Sequence, residues 1–438
     1  MKPLQVGLLG LGTVGMGLWT VLRRNEEEIT RRAGRPIRIT WIAERALDMA
    51  REKTGGAAGV NLTDDASKVL AHPDLDIVVE LVGGIEPART FILQAIANGK
   101  HVVTANKALL ARHGNEIFAA AHAKGVMVAF EGAVAGGIPI IKALREGLTA
   151  NRIAWIAGII NGTSNFILSE MRAKGESFDA ALAEAQARGY AEADPTFDVE
   201  GIDAAHKLAI MSAIAFGVPM QFDKVYIEGI SKLAREDIRY AEELGYRIKL
   251  LGITRRAKAG IELRVHPTLI PSRRLIANVE GVMNAVLVKG DAVGPTLYYG
   301  AGAGAEPTAS AVIADLVDVT RMHTADPEHR VPHLAFQPDQ LSDTPFLPMG
   351  DVETSYYLRM RVQDRPGVLA DITRILADRS ISIEAMIQKE PPAGEAKTDI
   401  ILLTHLSVER DVVDAIAKIE ALPTVDGKVV RIRMEELD

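Results

Sequence analysis

The sequence predicts an α/β protein that begins with a parallel sheet covered by helices and ends in a small ferredoxin-like domain. The chain has 438 residues, too many for one compact core, so two or three domains are expected. A glycine-rich turn follows the first apolar segment, at residues 10–15. Near the C-terminus, strand-like and helix-like segments follow one another in the order β-α-β-β-α-β, which is ferredoxin-like.

The composition excludes several classes of function. The formal net charge of −7 argues against nucleic acid or an anionic membrane as the main partner. The chain contains no cysteine, which rules out disulfides, thiolate metal sites and a thiol nucleophile. The sequence offers no apolar run of the roughly 18 residues that a membrane span requires. The apolar residues 3–22 contain several glycines and lack a prompt cleavage site, so we expect a cytoplasmic protein.

The first element is a short buried strand, LQVGLLG (4–10), followed by GLGTVG (10–15) and a helical run. Gly10, Gly12 and Gly15 have the spacing G-x-G-x-x-G of a Rossmann-type domain. The first permits a tight turn, the second lets a pyrophosphate approach the backbone, and the third allows close packing of helix and strand. We therefore expect a dinucleotide here, with Thr13 and Val14 at the helix N-terminus beside its phosphates.

Strands and helices then alternate, which predicts a parallel sheet with helices on both faces. Glu44 and Arg45 close the second strand, where the adenosine ribose is normally bound. A carboxylate there favours NAD and an arginine favours NADP, so the preference stays open with a slight lean to NADP. The expected strands are 4–10, 37–44, 76–83, 101–105 and 126–131.

The segment GYAEADPTFDVEGIDAAHKLAI (189–210) places many charges beside an apolar helix that begins near Gly201. Asp203 and Lys207 are four residues apart and share one stripe of that helix with Ile210 and Ile214. An exposed ion pair worth about 0.3–0.5 kcal/mol is the simple interpretation. Because the stripe continues with apolar residues and the other faces are also apolar, a buried functional pair is favoured.

Five motifs follow one another along nearly the whole chain: GLGTVG (10–15), TANKALL (104–110), FEGAVAGGIPI (130–140), GIINGTSNFIL (158–168) and GAGAEPTASAVIADL (302–316). Together they resemble the homoserine dehydrogenase family. The family oxidises L-homoserine to L-aspartate 4-semialdehyde with NAD(P)+, or runs the reverse reaction, in threonine and methionine biosynthesis. The resemblance implies a nucleotide domain at 1–139 completed by about 300–325, an α+β substrate and dimerisation domain at 140–300, and a homodimer or homotetramer.

The resemblance also assigns roles to single residues. Lys207 matches the acid/base lysine, Asp203 an aspartate that positions substrate or water, and Lys107 a lysine at the cofactor–substrate junction. Substrate binding falls to Glu192 and Asp198, together with Asp203 and Lys207. Further cofactor contacts fall on Thr104, Lys107, Gly189, Gly304 and Glu306.

The segment EGAVAGGIP resembles the family's monovalent cation site, formed largely by main-chain carbonyl groups. The matching positions for a sodium-type ion are Glu131, Val134, Gly136 and Ile138. A glycine-rich hinge without an ion explains the same residues nearly as well.

Four prolines at 332, 338, 345 and 348 indicate a linker, placed at 326–352. The following domain, 353–434, contains the turn DRPGVLA and resembles an ACT domain, an amino-acid-binding regulatory module. The resemblance implies L-threonine as the ligand, held near the turn and the first helix. A domain kept only for oligomer contacts is the alternative. The expected contacts are Asp364, Gly367, Val368 and Leu369.

Single features of the sequence bear on three other functions. Aspartate semialdehyde dehydrogenase handles the same aldehyde, but its acyl-enzyme chemistry requires a cysteine, which the chain lacks. An oxidoreductase for a different amino-acid alcohol remains open, because the shape of the pocket cannot be read from the sequence. A nucleotide- and amino-acid-sensing protein without turnover also remains open, although Lys107, Glu192, Asp203 and Lys207 argue against it.

Overall fold

The computed structural model describes residues 2–390 and 395–438. These residues form two compact units, each assembled from separate parts of the chain. Of the described residues, the first unit contains 2–162, 203–225 and 282–344, and the second contains 163–202, 226–281, 345–390 and 395–438.

Strands and helices alternate in the first part of the chain, with the bounds β1 (Leu4–Leu9), α1 (Thr13–Arg24), α2 (Glu26–Ala33), β2 (Ile37–Ala43), α3 (Leu47–Thr54), β3 (Asn61–Thr63), α4 (Ala66–Ala71), β4 (Ile77–Glu80), α5 (Ala88–Ala97), β5 (His101–Thr104), α6 (Lys107–Lys124) and β6 (Val128–Ala129). The middle part contains α7 (Ile140–Lys142), β7 (Ile153–Ile159), α8 (Gly162–Lys174), α9 (Phe178–Ala187), α10 (Thr196–Val199), α11 (Ile202–Phe216), β8 (Tyr226–Ile227), α12 (Arg235–Glu243), β9 (Tyr246–Ala257), β10 (Gly260–Pro271), β11 (Met283–Gly290), β12 (Gly294–Ala301) and α13 (Ala305–Met322). The C-terminal part contains β13 (Glu353–Gln363), α14 (Val368–Ala377), β14 (Ile383–Gln388), β15 (Lys397–Thr404), β16 (Ser407–Val408), α15 (Glu409–Glu420) and β17 (Val425–Met434).

The N-terminal sheet is parallel and six-stranded, in the order β3-β2-β1-β4-β5-β6. The predicted Rossmann-type sheet and its five strands are confirmed. Because both faces are covered, its central strands are apolar throughout, as in β4, where Ile77, Val78 and Val79 are fully buried. The three-residue strand β3 was not predicted, since so short a segment carries too little pattern.

The segment after residue 300 packs against the first helix. A Cβ atom at Gly17 in α1 would lie 2.3 Å from the carbonyl oxygen of Ala305, where α13 begins. Such contact is possible only without a side chain at residue 17. The two helices therefore bring GAGAEPT back to the glycine-rich turn within the first unit.

Helix α11 also belongs to the first unit from Asp203 onward. All its residues from Asp203 to Phe216 are buried, so the prediction of a buried helix is confirmed. In the same unit, β7, β11 and β12 form an antiparallel arrangement in the order β12-β11-β7.

The C-terminal domain has the predicted β-α-β-β-α-β order, with the short strand β16 in addition. Its last strand, β17, pairs in parallel with β10, where Thr268 lies opposite Arg433. Arg433 is 1% exposed, and its guanidinium binds Glu409 at 2.6 Å and Glu228 at 2.8 Å. Buried charges of this kind are tolerated because they are paired, and here they tie the domain to β8–β10 within the second unit.

The proline-rich segment contains short 3₁₀ turns, and its side chains hold it to the first unit. Arg330 donates to the carbonyl of Gly125 at 2.8 Å, and His333 Nε2 accepts from the N–H of Val128 at 3.1 Å. The N–H of Ser342 donates to the carbonyl of Gly217, just beyond the end of α11, at 2.7 Å. Within the described ranges, the chain contains no helix both long enough and apolar enough to span a membrane.

Candidate active site

The glycine-rich turn has the geometry that a bound pyrophosphate requires. Gly10 has φ +92°, and a Cβ there would lie 2.8 Å from the carbonyl oxygen of Leu81. At Gly12, by contrast, no non-neighbouring heavy atom of the described residues lies within 4 Å of a Cβ position. The open space lies at the N-terminus of α1, beside the exposed Thr13. Phosphate groups fit this space, since helix N-termini attract anions.

A cavity of about 730 Å³ extends from this turn along the carboxyl ends of β1, β2 and β4. Ligands of doubly wound sheets bind at this edge. Glu44 and Arg45 line the cavity, and Arg45 is exposed. Glu44 Oε2 accepts a hydrogen bond from the N–H of Leu11 at 2.8 Å, so this carboxylate holds the glycine-rich turn in place.

Thr104 and Lys107 sit at the end of β5, supported by a buried glutamate that the sequence analysis missed. Thr104 Oγ1 donates to Glu80 Oε2 at 2.7 Å, and the other oxygen of Glu80 accepts from the N–H groups of Val82 and Gly83. Asn106 then caps α6, accepting from the N–H of Leu109 at 3.1 Å. The side chain of Thr104 is therefore engaged within the protein, and the network fixes where Lys107 begins α6.

The second group of predicted residues meets at one carboxylate. Lys207 Nζ lies 2.6 Å from Asp203 Oδ2, and Lys107 Nζ lies 3.2 Å from Asp203 Oδ1. Lys207 Nζ also donates to the carbonyl of Ile160 at 2.7 Å, just beyond β7. Asn161, which the sequence analysis did not single out, donates from Nδ2 to Asp203 Oδ2 at 2.9 Å.

Asp203 and Lys207 are buried, whereas the Lys107 side chain is 33% exposed. Asp203 is 5% exposed and Lys207 is 7% exposed. Burial alone would raise the pKa of Asp203, but Lys207 and Lys107 outweigh it and hold the pKa well below its usual range. Burial and the charge of Arg112 lower the pKa of the neighbouring His206 to about 4, so this imidazole is neutral at pH 7. Lys207 and Lys107 therefore both pair with the carboxylate of Asp203.

The remaining predicted residues lie elsewhere in the two units. In the second unit, Glu192 is exposed, Asp198 is half-buried in α10, and Gly189 has φ +73° after α9. In the first unit, Gly304 precedes α13. Glu306 forms a two-pronged ion pair with Arg24 at 2.9 and 2.7 Å, on the surface of the helix pair α1 and α13.

The predicted cation segment forms a tight turn around a buried carboxyl group. Both oxygens of Glu131 accept main-chain hydrogen bonds, from Ile141 at 2.9 Å and Lys142 at 2.8 Å. Burial raises the pKa of Glu131 to about 7, although these N–H groups oppose the rise. The side chain therefore caps the helix that follows, and a cation here would be bound by carbonyl groups. Ala135 and Gly136 both have positive φ, of 56° and 51°.

The predicted regulatory turn forms the start of α14. Gly367 has φ +96°, and its Cβ position is clear of every non-neighbouring heavy atom of the described chain within 4 Å. The side chain of Val368 is buried in the domain core and Leu369 packs against it. Asp364 is exposed, and its Oδ1 accepts from Gln388 at 3.4 Å.

A parallel sheet with an open glycine-rich turn and a lysine–aspartate–lysine cluster are the features of an NAD(P)-dependent oxidoreductase, here with an additional C-terminal ferredoxin-like domain. Family models agree with this class: homoserine dehydrogenase, NAD binding domain, matches residues 10–131, homoserine dehydrogenase matches 139–317, and ACT domain matches 356–424. The chain belongs to the homoserine dehydrogenase family.

Individual relatives support the same assignment. The chain is 64% identical to homoserine dehydrogenase of Pseudomonas aeruginosa over 438 residues, covering 100% of both chains. A crystal structure of a homoserine dehydrogenase from Thiobacillus denitrificans is 74% identical, with a TM-score of 0.95, covering 100% of this chain and 99% of that one. A hyperthermophilic archaeal homoserine dehydrogenase in complex with NADPH is 25% identical, with a TM-score of 0.63, covering 73% of this chain and 98% of that one.

Proposed function

We propose that the chain interconverts L-homoserine and L-aspartate 4-semialdehyde by hydride transfer, with NADP(H) as the preferred cofactor, in threonine and methionine biosynthesis. The buried cluster in which Lys207 and Lys107 share the carboxylate of Asp203 carries the proposal. Alcohol–aldehyde interconversion requires a group that holds a proton for the reacting oxygen. The nicotinamide, when bound, supplies or accepts the hydride.

Lys207 Nζ is the atom that holds this proton. Asp203 and the carbonyl of Ile160 stabilise its ammonium form. During aldehyde reduction, Nζ gives a proton to the C4 oxygen, directly or through a water molecule. During alcohol oxidation, the neutral amine takes the hydroxyl proton. Asp203 keeps its charge in both directions and orients the two lysines, while Lys107 presents a second cation to the oxygen or the substrate carboxylate.

The substrate also carries an α-ammonium group, which calls for carboxylates. Glu192 and Asp198 are proposed for this role because of their charge and their match to the family motif. Binding of the ammonium group would discriminate L-homoserine from 4-hydroxybutyrate, which lacks it.

The proposed preference for NADP(H) rests on the different contacts of Glu44 and Arg45. A ribose 2′-hydroxyl is normally bound by a carboxylate at this position. Here Glu44 already accepts from Leu11 N–H, while Arg45 is exposed in the wall of the cavity. An arginine so placed suits a 2′-phosphate. The archaeal relative solved with NADPH is consistent with this preference.

The direct test is reduction of NADP+ and NAD+ in the presence of L-homoserine, followed by absorbance. We expect turnover with L-homoserine, little with L-serine or 4-hydroxybutyrate, and a higher kcat/KM with NADP+. Faster turnover with a different amino-acid alcohol would show that L-homoserine is not the preferred substrate. If the folded chain shows no turnover with either cofactor, a nucleotide- and amino-acid-sensing protein without catalytic activity becomes the better interpretation.

L-Threonine is the proposed ligand of the C-terminal domain, near Gly367 and Asp364. The open space at Gly367 and the N-terminus of α14 suit an amino-acid carboxylate. Titration calorimetry should show saturable binding of L-threonine that Gly367→Val abolishes. Binding that survives this variant unchanged would place the ligand elsewhere.

A monovalent cation is proposed at the turn of Glu131, Val134, Gly136 and Ile138, bound by main-chain carbonyl groups. The match of these positions to the family motif supports the proposal, and positive φ at Ala135 and Gly136 shows that the segment is an irregular turn. The midpoint temperature of thermal unfolding should be higher in NaCl than in choline chloride of equal ionic strength. Equal midpoints in the two salts would remove the proposal.

A further inference from the structure

The main chain just beyond β7 supports both members of the Asp203–Lys207 pair through consecutive residues. The carbonyl of Ile160 accepts from Lys207 Nζ at 2.7 Å. The side chain of the next residue, Asn161, donates from Nδ2 to Asp203 Oδ2 at 2.9 Å. One short segment therefore sets the position of the lysine and of its carboxylate together.

From this geometry we propose that Asn161 is a positioning residue for the reaction, fixing which oxygen of Asp203 faces which lysine. This inference rests on the proposed function. A carboxylate between two ammonium groups can exchange its oxygens by rotating about its last single bond. Asn161 breaks that equivalence, because its amide and Lys207 both engage Oδ2 while Lys107 faces Oδ1.

Burial makes this hydrogen bond hard to replace. Asn161 and Asp203 are each 5% exposed, so solvent has little access to the oxygen that the amide serves. A hydrogen bond to a buried charge contributes more than one between neutral groups. Without the amide, Oδ2 retains Lys207 but loses the neutral donor that sets the carboxylate plane. Lys207 Nζ would then sample orientations away from the reacting oxygen.

The charges around Asp203 predict how the activity of an Asn161→Asp variant should depend on pH. Lys107 from α6 faces Asp203, and His206 from α11 interacts electrostatically with Asp203, Lys207, Lys107 and Arg112. In Asn161→Asp, a new carboxyl group of nearly identical shape would face Asp203 Oδ2. When protonated, this group donates as the amide does. When ionised, it repels Asp203 and competes for both lysines.

The test compares Asn161→Asp and Asn161→Leu with the wild type in L-homoserine oxidation over a range of pH. We expect Asn161→Leu to lower kcat roughly 10- to 100-fold at every pH, with the KM for NADP+ unchanged. Asn161→Asp should approach wild-type kcat at low pH and lose activity as pH rises, through one additional ionisation. A purely structural role would not produce that ionisation.

Asn165 provides a matched control, because it is a buried asparagine in the same motif. Its Nδ2 donates to the carbonyls of Val279 and Gly281. Asn165→Leu should lower the midpoint of thermal unfolding without adding an ionisation to the pH profile. If Asn161→Asp follows the wild-type pH profile, or Asn161→Leu keeps wild-type kcat, the positioning role is wrong. If the wild type itself does not oxidise L-homoserine, the proposed function fails instead.

Discussion

Lys207 Nζ lies 2.6 Å from Asp203 Oδ2, one helical turn away on a helix that is buried from Asp203 to Phe216. An exposed pair at this spacing contributes little to stability and usually has no further role. Here the same carboxylate also faces Lys107, on a helix that begins at the edge of the nucleotide-binding sheet. The pair therefore joins the proposed proton-transfer group to the cofactor domain.

Asp203→Asn should lower kcat for reduction of L-aspartate 4-semialdehyde and move the basic limb of the pH profile in that direction to lower pH. The pKa of Asp203 lies well below its usual range, so this carboxylate stays ionised throughout the working range and contributes no acidic limb of its own. Without that charge, the ammonium groups of Lys207 and Lys107 lose the anion that stabilises them. Rates measured from about pH 5 to about pH 10 test this. A basic limb that stays in place would show that the lysines do not depend on Asp203.

Gly12→Ala should weaken cofactor binding without weakening the fold. The backbone at Gly12, with φ −71°, is accessible to alanine, and its Cβ would enter the open space proposed for the pyrophosphate. We expect the KM for NADP+ to rise at least about tenfold, with an unchanged unfolding midpoint. Gly147→Ala is the control, since its Cβ position is likewise clear of non-neighbouring described atoms. Wild-type KM in Gly12→Ala would place the phosphates elsewhere.

Arg45→Ala should reduce discrimination between the two dinucleotides. Loss of a guanidinium that binds a 2′-phosphate removes an interaction worth about 1–3 kcal/mol, so the KM for NADP+ should rise roughly 5- to 100-fold. The KM for NAD+ should change little. Arg51→Ala, on α3 where Arg51 pairs with Asp48 at 3.3 Å, is the control. Equal losses with both cofactors would argue against a 2′-phosphate site.

Because the pKa of Glu131 is raised in the folded state, the free energy of unfolding should fall as pH rises. Burial raises the pKa of Glu131 from 4.5 to about 7, so between these values the folded state holds a proton that the unfolded state has released. Stability should decline across that interval by up to about 3 kcal/mol. Urea unfolding at several pH values gives the slope of the free energy of unfolding against pH. The variant Glu131→Gln should have a smaller slope. Asp315, whose pKa burial and Glu131 raise well above its usual range, adds a slope of the same sign. A Glu131→Gln slope equal to that of the wild type would contradict this assignment.

Local patterns allowed much of this architecture to be predicted. The period of α11 placed Asp203 and Lys207 on one buried stripe, and the glycine spacing located the phosphate turn. Asn161 and Glu80 were missed because their partners are distant in sequence, 42 residues away for Asp203 and 24 for Thr104. The prolines at 332–348 indicated a linker, but not which residues the segment contacts. The contacts of Arg330 and His333 depend on surfaces that the sequence pattern does not reveal.

Turnover by Lys207→Met tests the central claim most directly, with Lys124→Met, an exposed lysine at the end of α6, as the control. The account predicts that Lys207→Met lowers kcat for L-homoserine oxidation by about 10²- to 10⁴-fold while NADP+ still binds. Lys124→Met should match the wild type. A folded Lys207→Met variant that turns over L-homoserine at the wild-type rate would contradict the assignment of Lys207 Nζ as the proton carrier.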